Sequence, residues 1–297
     1  MSRGMIKTGS VDSNNSQMPS RSLWIDTIRR LRRDKFAVAG LIVFVLICLA
    51  CVMAPLLTQW EYTTINPHNT LAVPSFEHIL GTDSFGRDMF SRFLYGGRTT
   101  LSIALATTVM AAVAGGVIGL MTGYFGGKAD YLVTPALDTL ASIPIVLLII
   151  VLESVFGFGR GYFMYAMVIA AIPQFARLVR AGVLDITGFE YIEAARALGV
   201  ADITIITRHV LHNIASPLIV RLTSGVAEAI LMCTIMGYLG VGIKPPIPEW
   251  GGMVNSAKAY VFLYPRMVII PCVIIALSVI SLSIFGDGLR NALNPKR

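Results

Sequence analysis

Charge is scarce in this 297-residue chain, because only 14% of its residues are charged while 55% are apolar and the mean hydropathy is +0.70. A soluble domain carries about 25% charged residues, since water must solvate its surface. The shortage excludes an ordinary soluble globular protein. It indicates an integral membrane protein whose surface largely faces lipid or other membrane helices.

Histidine and cysteine are also few, with four of each. The cysteines lie in apolar runs, and the histidines show no metal-ligand spacing, so we expect neither a disulfide framework nor a metal site. The sequence also lacks a phosphate-binding loop and a nucleophile–base pair. We therefore expect no cofactor bound by this chain and no enzyme activity of its own.

Long uncharged windows predict an all-α protein with six transmembrane helices, because a bilayer requires about 20 apolar residues for each span. The predicted spans are 36–57, 99–127, 131–152, 161–176, 216–242 and 267–286. The fourth window is the shortest of the six.

The net charge is +7, and the positive residues are distributed along the chain as in a membrane protein and not as in a nucleic-acid-binding surface. With the N-terminus inside, 16 Lys and Arg residues fall in cytoplasmic segments and 7 in outer segments. Positive loops remain in the cytoplasm, so the bias predicts that both termini are cytoplasmic.

The spans divide the chain into segments of different character. We expect a disordered cytoplasmic tail over residues 1–22 and an amphipathic interfacial helix over 23–35, the alternative for the latter being a solvated basic linker. Residues 58–98 form the longest outer loop, whose prolines and aromatic residues favour a folded cap. Residues 99–297 then form the core with spans two to six.

The inner loop between spans four and five, residues 186–213, is unusually long for a compact bundle. Strong helix formers precede Gly199, a usual helix-ending residue, and Asp202 can cap a second helix. Ala194 and Ala195 give the first helix a surface of low relief. The pattern predicts two short helices that dock on another protein, the alternative being a plain connection.

Four stretches resemble one family of transporters. Glu193-Ala194-Ala195 with Gly199 resembles the EAA loop of ABC importer permeases. Three stretches are similar to the second (C-type) permease of the dipeptide, oligopeptide and nickel importers. They are 81–88 (GTDSFGRD), 248–251 (PEWG) and 286–290 (GDGLR).

This resemblance implies a type I ABC importer permease in a bacterial or archaeal cell membrane. Its implied partners are a homologous second permease, two cytoplasmic ATPases that use ATP and Mg²⁺, and an extracytoplasmic substrate-binding protein. The implied substrate is a di- or oligopeptide, with nickel or another small solute as the alternative. The implied ATPase-coupling residues are Glu193, Ala194, Ala195, Arg196, Gly199, Asp202 and Arg208.

Two further groups of residues are candidate functional sites. Arg221 and Glu228 lie within span five, where ionisable residues are costly, and with Cys233 they are predicted to line the translocation pathway. The alternatives are a structural contact between helices or, for the whole chain, an ion-coupled secondary transporter. We expect the binding protein to dock on the outer side, at Trp60, Phe85, Arg87 and Trp250.

Overall fold

A computed structural model describes residues 23–157 and 159–293, and these residues are almost entirely helical. The helices are α1 (Leu23–Arg33), α2 (Lys35–Val52), α3 (Ala54–Leu57), α4 (Met89–Phe125), α5 (Gly127–Ser142), α6 (Ile145–Phe156), α7 (Arg160–Thr187), α8 (Glu190–Ala197), α9 (Asp202–Ile205), α10 (Leu211–Tyr238), α11 (Trp250–Ala257) and α12 (Arg266–Leu293). Over these residues, the only β pairing is an isolated bridge between Thr82 and Asp88.

Five helical segments in the described part of the chain are long and apolar enough to cross a membrane: α2, α4, α7, the stretch from α9 through α10, and α12. The pair α5 and α6 supplies a sixth crossing if it is counted as one span, which agrees with the predicted number. The prediction of one continuous third span over 131–152 is wrong, because α5 and α6 meet at an angle of 102°. Pro144 causes the break, since the residue before a proline is driven out of the helical conformation, and Ile143 is extended.

Helix boundaries also differ from those predicted. The second span begins at Met89, ten residues before the predicted start at Thr99, because the Asp88 carboxylate caps the helix by accepting a hydrogen bond from Ser91 N at 2.7 Å. The helix predicted over 23–35 ends at Arg33, and Asp34 caps α2 by accepting from the backbone N–H groups of Phe36 and Ala37. The predicted disordered tail, residues 1–22, lies outside the described residues.

The centre of the fold is the packing of α4 along α7. Three α4 glycines, Gly115, Gly119 and Gly123, face α7 so closely that an added Cβ would lie within 3 Å of its atoms. Small residues allow helix backbones to approach in a membrane, where packing replaces the hydrophobic drive. This contact holds the C-terminal halves of α4 and α7 together next to the 186–213 loop.

Candidate functional site

The 186–213 loop consists of the short helix α8, a turn, and a helical stretch that continues into span five. After α8, Gly199 adopts a φ of +76°, a conformation that glycine tolerates best, and the chain reverses. A single π-helical turn over 206–210 joins α9 directly to α10. The prediction of a separate second helix is therefore wrong. The prediction that Asp202 caps this helix is also wrong, because Ala201 occupies the N-cap position and no side chain caps α9.

An apolar cluster anchors this loop to the membrane core. Ile192 of α8 and Ile205 of α9 are fully buried against Val183 and Ile186 of α7. Burying an Ile side chain stabilises the fold by about 1.5–3 kcal/mol. Because the apolar side of α8 faces inward, its opposite side is free to contact another protein.

The predicted coupling residues are distributed unevenly over that free side. Glu193, Ala194, Arg196, Gly199, Asp202 and Arg208 are exposed, and Ala195 is half-buried. The exposed surface combines two small residues, two carboxylates and two guanidinium groups. It is shallow and carries both signs of charge.

Two of the predicted coupling residues, Asp202 and Arg196, contact α4 of the same chain. The Tyr124 hydroxyl, at the inner end of α4, donates a hydrogen bond to Asp202 Oδ1 at 2.6 Å. The Arg196 guanidinium lies 4.8 Å from the centroid of the Tyr124 ring, a distance typical of a cation–π contact. Tyr124 is buried and so links the loop to the core, a role that nothing in its sequence neighbourhood indicates.

A second polar group lies in the middle of the bundle. Arg221 donates two hydrogen bonds to Glu228, at 2.8 and 2.9 Å, and another to Gln174 of α7. The structure thus brings together the two charged residues of span five that were predicted to line the pathway. The Glu228 side chain remains 50% exposed, so the pair is open to its surroundings on one side.

Cys233 belongs to a different cluster. It is buried, and its thiol lies 3.9 Å from Glu249 Oε1. Glu249 also accepts hydrogen bonds from Gly251 N, Gly252 N and the Thr100 hydroxyl. Cys233 is therefore not next to Arg221 and Glu228, because it points towards the connection between spans five and six.

Glu249 joins three elements, since it caps α11 while contacting α4 and α10. The residue lies in the connection between two spans, and burial raises the pKa of its carboxyl to about 7, against the opposing effect of the backbone hydrogen bonds from Gly251 and Gly252. We call Glu249, Thr100 and Cys233 the Glu249 clamp.

Segment 58–88, here called the cap, is held by side-chain hydrogen bonds and an ion pair. Asp83 accepts hydrogen bonds from the backbone of Phe85 and Arg87 and forms an ion pair with the Arg87 side chain at 2.7 Å. Arg266 of α12 donates to two carbonyl groups of the cap. These bonds fix the cap on the ends of the spans.

Of the four predicted docking residues, two are buried. Trp250 is completely covered and donates its indole N–H to the Phe93 carbonyl, and Arg87 is 8% exposed. Both are excluded as direct docking contacts because they offer almost no surface to another protein. Phe85 is 51% exposed and Trp60 is half-buried, so docking of the binding protein at these two residues stays a prediction.

Family models match most of the chain. The model described as "Binding-protein-dependent transport system inner membrane component" matches residues 115–297, and the one described as "N-terminal TM domain of oligopeptide transport permease C" matches residues 22–74. The chain belongs to the binding-protein-dependent transport permeases. It is therefore a multi-pass inner-membrane permease subunit, and the ion-coupled carrier is ruled out.

Relatives of this permease agree with that assignment over nearly its whole length. It is 38% identical over 280 residues to the dipeptide transport system permease protein DppC of Alkalihalophilus pseudofirmus, covering 94% of this chain and 92% of the relative. It is 36% identical to the glutathione transport system permease protein GsiD of Pectobacterium atrosepticum, covering 93% and 92%. It is 33% identical to the oligopeptide transport system permease protein OppC of Bacillus subtilis, covering 96% and 93%.

A solved structure confirms the fold. The permease aligns with a chain of the inward-facing MetNI methionine ABC transporter at a TM-score of 0.57 and 21% identity, covering 69% of this permease and 98% of that chain. At this identity the likeness supports the architecture alone. The type I importer permease architecture is thus confirmed.

Sequence reasoning missed three groups that the permease buries: Tyr124, Glu249 and Glu153. Glu153 of α6 is fully buried, and its Oε1 accepts a hydrogen bond from Gly242 N at 3.1 Å. An acid within an apolar run was a usable signal for Glu153. For Tyr124 and Glu249, the partners are distant in sequence, and no local pattern reveals them. In the described residues, no three His, Cys, Asp or Glu side chains lie close enough to hold a metal ion.

Proposed function

We propose that this permease is the second of two permease subunits in an ATP-driven importer for di- and oligopeptides. The observation that carries the proposal is that relatives 33–38% identical over more than nine tenths of the chain are named for dipeptide, glutathione and oligopeptide transport. Each named substrate is a peptide. Import of nickel or another small solute remains the alternative to be tested.

The exposed side of α8 is the proposed contact with a cytoplasmic ATPase. Two ATPases would bind ATP and Mg²⁺, one on this permease and one on its homologous partner. Glu193, Ala194, Ala195 and Gly199 form the shallow surface, and Arg208 supplies a cation at its edge. Arg196 and Asp202 are proposed to act in coupling by holding the loop to Tyr124.

On the outer side, we propose that the substrate-binding protein docks on the cap, with Phe85 and Trp60 in contact. Within the membrane, Arg221 and Glu228 are proposed to line the pathway, since a charged pair with a half-exposed Glu228 side chain is costly against lipid. Cys233 is left out of this surface because the Glu249 clamp buries it. Both termini are proposed to be cytoplasmic.

The function is tested by purifying the permease in mild detergent with its copurifying subunits and reconstituting them in liposomes. We expect a second permease, two ATPases and ATP-dependent uptake of radiolabelled trialanine. Uptake of a nickel chelate without uptake of any peptide would replace the substrate assignment. Recovery of the chain without an ATPase would contradict the importer itself.

The coupling surface is tested by Gly199→Pro, which cannot adopt a φ of +76° and loses the hydrogen bond from Gly199 N to Arg196 O. Gly126→Pro is the matched control, because Gly126 also has a positive φ, donates one backbone hydrogen bond and faces open space. We expect Gly199→Pro to insert normally and to abolish transport, while Gly126→Pro retains it. Native transport rates in Gly199→Pro would refute the assignment of this loop.

A further inference from the structure

The break between α5 and α6 exposes irregular backbone in the middle of the bundle. Ser142, Ile143 and Pro144 are all exposed. The last carbonyl groups of α5 lack the i+4 partners of a continuing helix, although Thr139 O accepts a hydrogen bond from the Ser142 hydroxyl at 2.7 Å and Leu140 O accepts one from Ile143 N at 3.4 Å. Irregular backbone at membrane depth is tolerated only where it is buried in protein or lines an aqueous cavity. The break therefore does not face lipid.

A cavity of about 230 Å³ opens beside the break, with the break on one side and α7 on the other. Gln174 and Arg177 line its α7 wall. Gln174 lies near the middle of the 28-residue α7, one of the helices long and apolar enough to cross a membrane. Gln174 also accepts a hydrogen bond from Arg221, which connects the cavity to the Arg221–Glu228 pair.

Polar side chains follow one face of α7 at three-residue spacing: Gln174, Arg177 and Arg180. Arg180 is bound firmly by Asp130 of α5, with two hydrogen bonds at 2.6 and 2.7 Å and only about a quarter of each side chain exposed. This pair holds α5 against α7.

The neighbouring pair, Arg177 and Asp138, is open. Its charged atoms are 3.8 Å apart, beyond a normal hydrogen bond, and the side chains are 50% and 54% exposed. Both groups retain free hydrogen-bonding capacity. Two charges of opposite sign, half-exposed beside open backbone, complement a ligand that carries both charges and amide groups.

We infer that Asp138, Arg177 and the break at Ser142–Pro144, with Gln174, form a substrate-contact site for peptides with free termini in the translocation pathway. Asp138 contacts the peptide ammonium group, Arg177 contacts the carboxylate, and the broken backbone offers carbonyl groups to the peptide amides. The inference rests on the proposed function and deepens it by naming the residues that contact the substrate.

The first test measures peptide imported per ATP hydrolysed in the reconstituted complex. We expect Arg177→Gln and Asp138→Asn each to lower this ratio about tenfold, the effect of losing one charged hydrogen bond, while the binding protein still stimulates ATP hydrolysis. Asp185→Asn is the matched control, because Asp185 is an exposed acid on α7 away from the break, and it should keep the parental ratio. Parental ratios in both test variants would overturn the inference.

The second test uses water accessibility, which does not depend on transport. Ser142→Cys should react with a charged, membrane-impermeant thiosulfonate at least tenfold faster than Leu277→Cys, whose parent residue is exposed on the apolar α12. Both are made in a Cys272→Ala background, since Cys272 is exposed. Saturating trialanine should slow the reaction at position 142, whereas N-acetyl trialanine amide should not.

The outcomes separate this inference from the proposed function. An unreactive Ser142→Cys would show that the partner permease or lipid covers the break, and it would overturn the inference even with normal trialanine uptake. Fast labelling without protection by trialanine would overturn the peptide contact. Absence of trialanine uptake by the parental complex would refute the proposed substrate by itself.

Discussion

The Glu249 clamp makes the stability of this permease depend on pH. Glu249 is 3% exposed and accepts hydrogen bonds on both carboxylate oxygens, from Gly251 N and Gly252 N at 2.8 Å each. Burial nevertheless dominates and raises the pKa of the carboxyl from 4.5 to about 7. The folded protein thus holds a proton on this group at pH values where the unfolded chain has released it.

The sign of the effect follows from linkage. Because the folded-state pKa of Glu249 is the higher one, its contribution to stability is fully present below pH 4.5 and is lost as the pH rises through about 7. At about 1.4 kcal/mol for each pH unit of difference, the folded state loses about 2–3 kcal/mol between pH 5 and pH 8. For a chain of this size, that corresponds to a fall in Tm on the order of 5 °C.

Glu249→Gln removes the titrating group. The glutamine side chain has one acceptor oxygen, so one of the two N–H donors faces an amide NH₂ and the variant is less stable than the parent by about 1–3 kcal/mol at pH 5, a deficit that shrinks towards pH 8. Its Tm should lack the parental fall between pH 5 and pH 8. Thermal unfolding of the purified complex in detergent, followed over that range, measures the difference.

Glu61→Gln is the control for this experiment, because Glu61 is an exposed acid of the cap. It should show the parental pH dependence. All other titrating groups are shared by the parent and the variant, so the difference between their curves isolates Glu249. A difference in Tm that stays constant from pH 5 to pH 8 would refute the reasoning.

Two further predictions concern the contacts of α4. Tyr124→Phe removes the hydrogen bond to Asp202, which as a bond to a charged group contributes about 1.5–3 kcal/mol. We expect the transported peptide per ATP to fall while ATP hydrolysis continues, and an unchanged ratio would argue against a coupling role. Gly119→Val should prevent stable assembly, because its Cβ would lie 2.4 Å from Ala176 O, whereas Gly116→Val, with open space around it, should behave as the parent. Size-exclusion chromatography in detergent distinguishes these outcomes, and a monodisperse Gly119→Val protein would contradict the packing argument.

Local pattern explains which parts of the fold were predictable. Length and hydropathy of the uncharged windows revealed the spans, since the bilayer imposes one length on every crossing helix. Gly199 was recognised as a helix end because its backbone conformation is a local property, and the structure shows the positive φ. The bend at Pro144 was missed because composition does not distinguish a continuous apolar helix from a broken one.

The candidate site was less predictable for the same reason. Arg221 and Glu228 share a helix face at a spacing of seven residues, so their contact is visible in the sequence. The role of Cys233 was wrong because its partner, Glu249, lies on another element. Trp250 was assigned to the outer surface by its position in the chain, although packing covers it completely.

The sequence by itself determined the membrane class, the number of spans, the position of the 186–213 loop and the family, because each depends on composition or on residues adjacent in the chain. Only the tertiary structure decided which polar groups meet: Tyr124 with Asp202, Glu249 with Thr100, and Gln174 with Arg221. These partners are 47 to 149 residues apart. Their meeting depends on how helices pack, and a charge buried by that packing has different chemistry from the same charge in water.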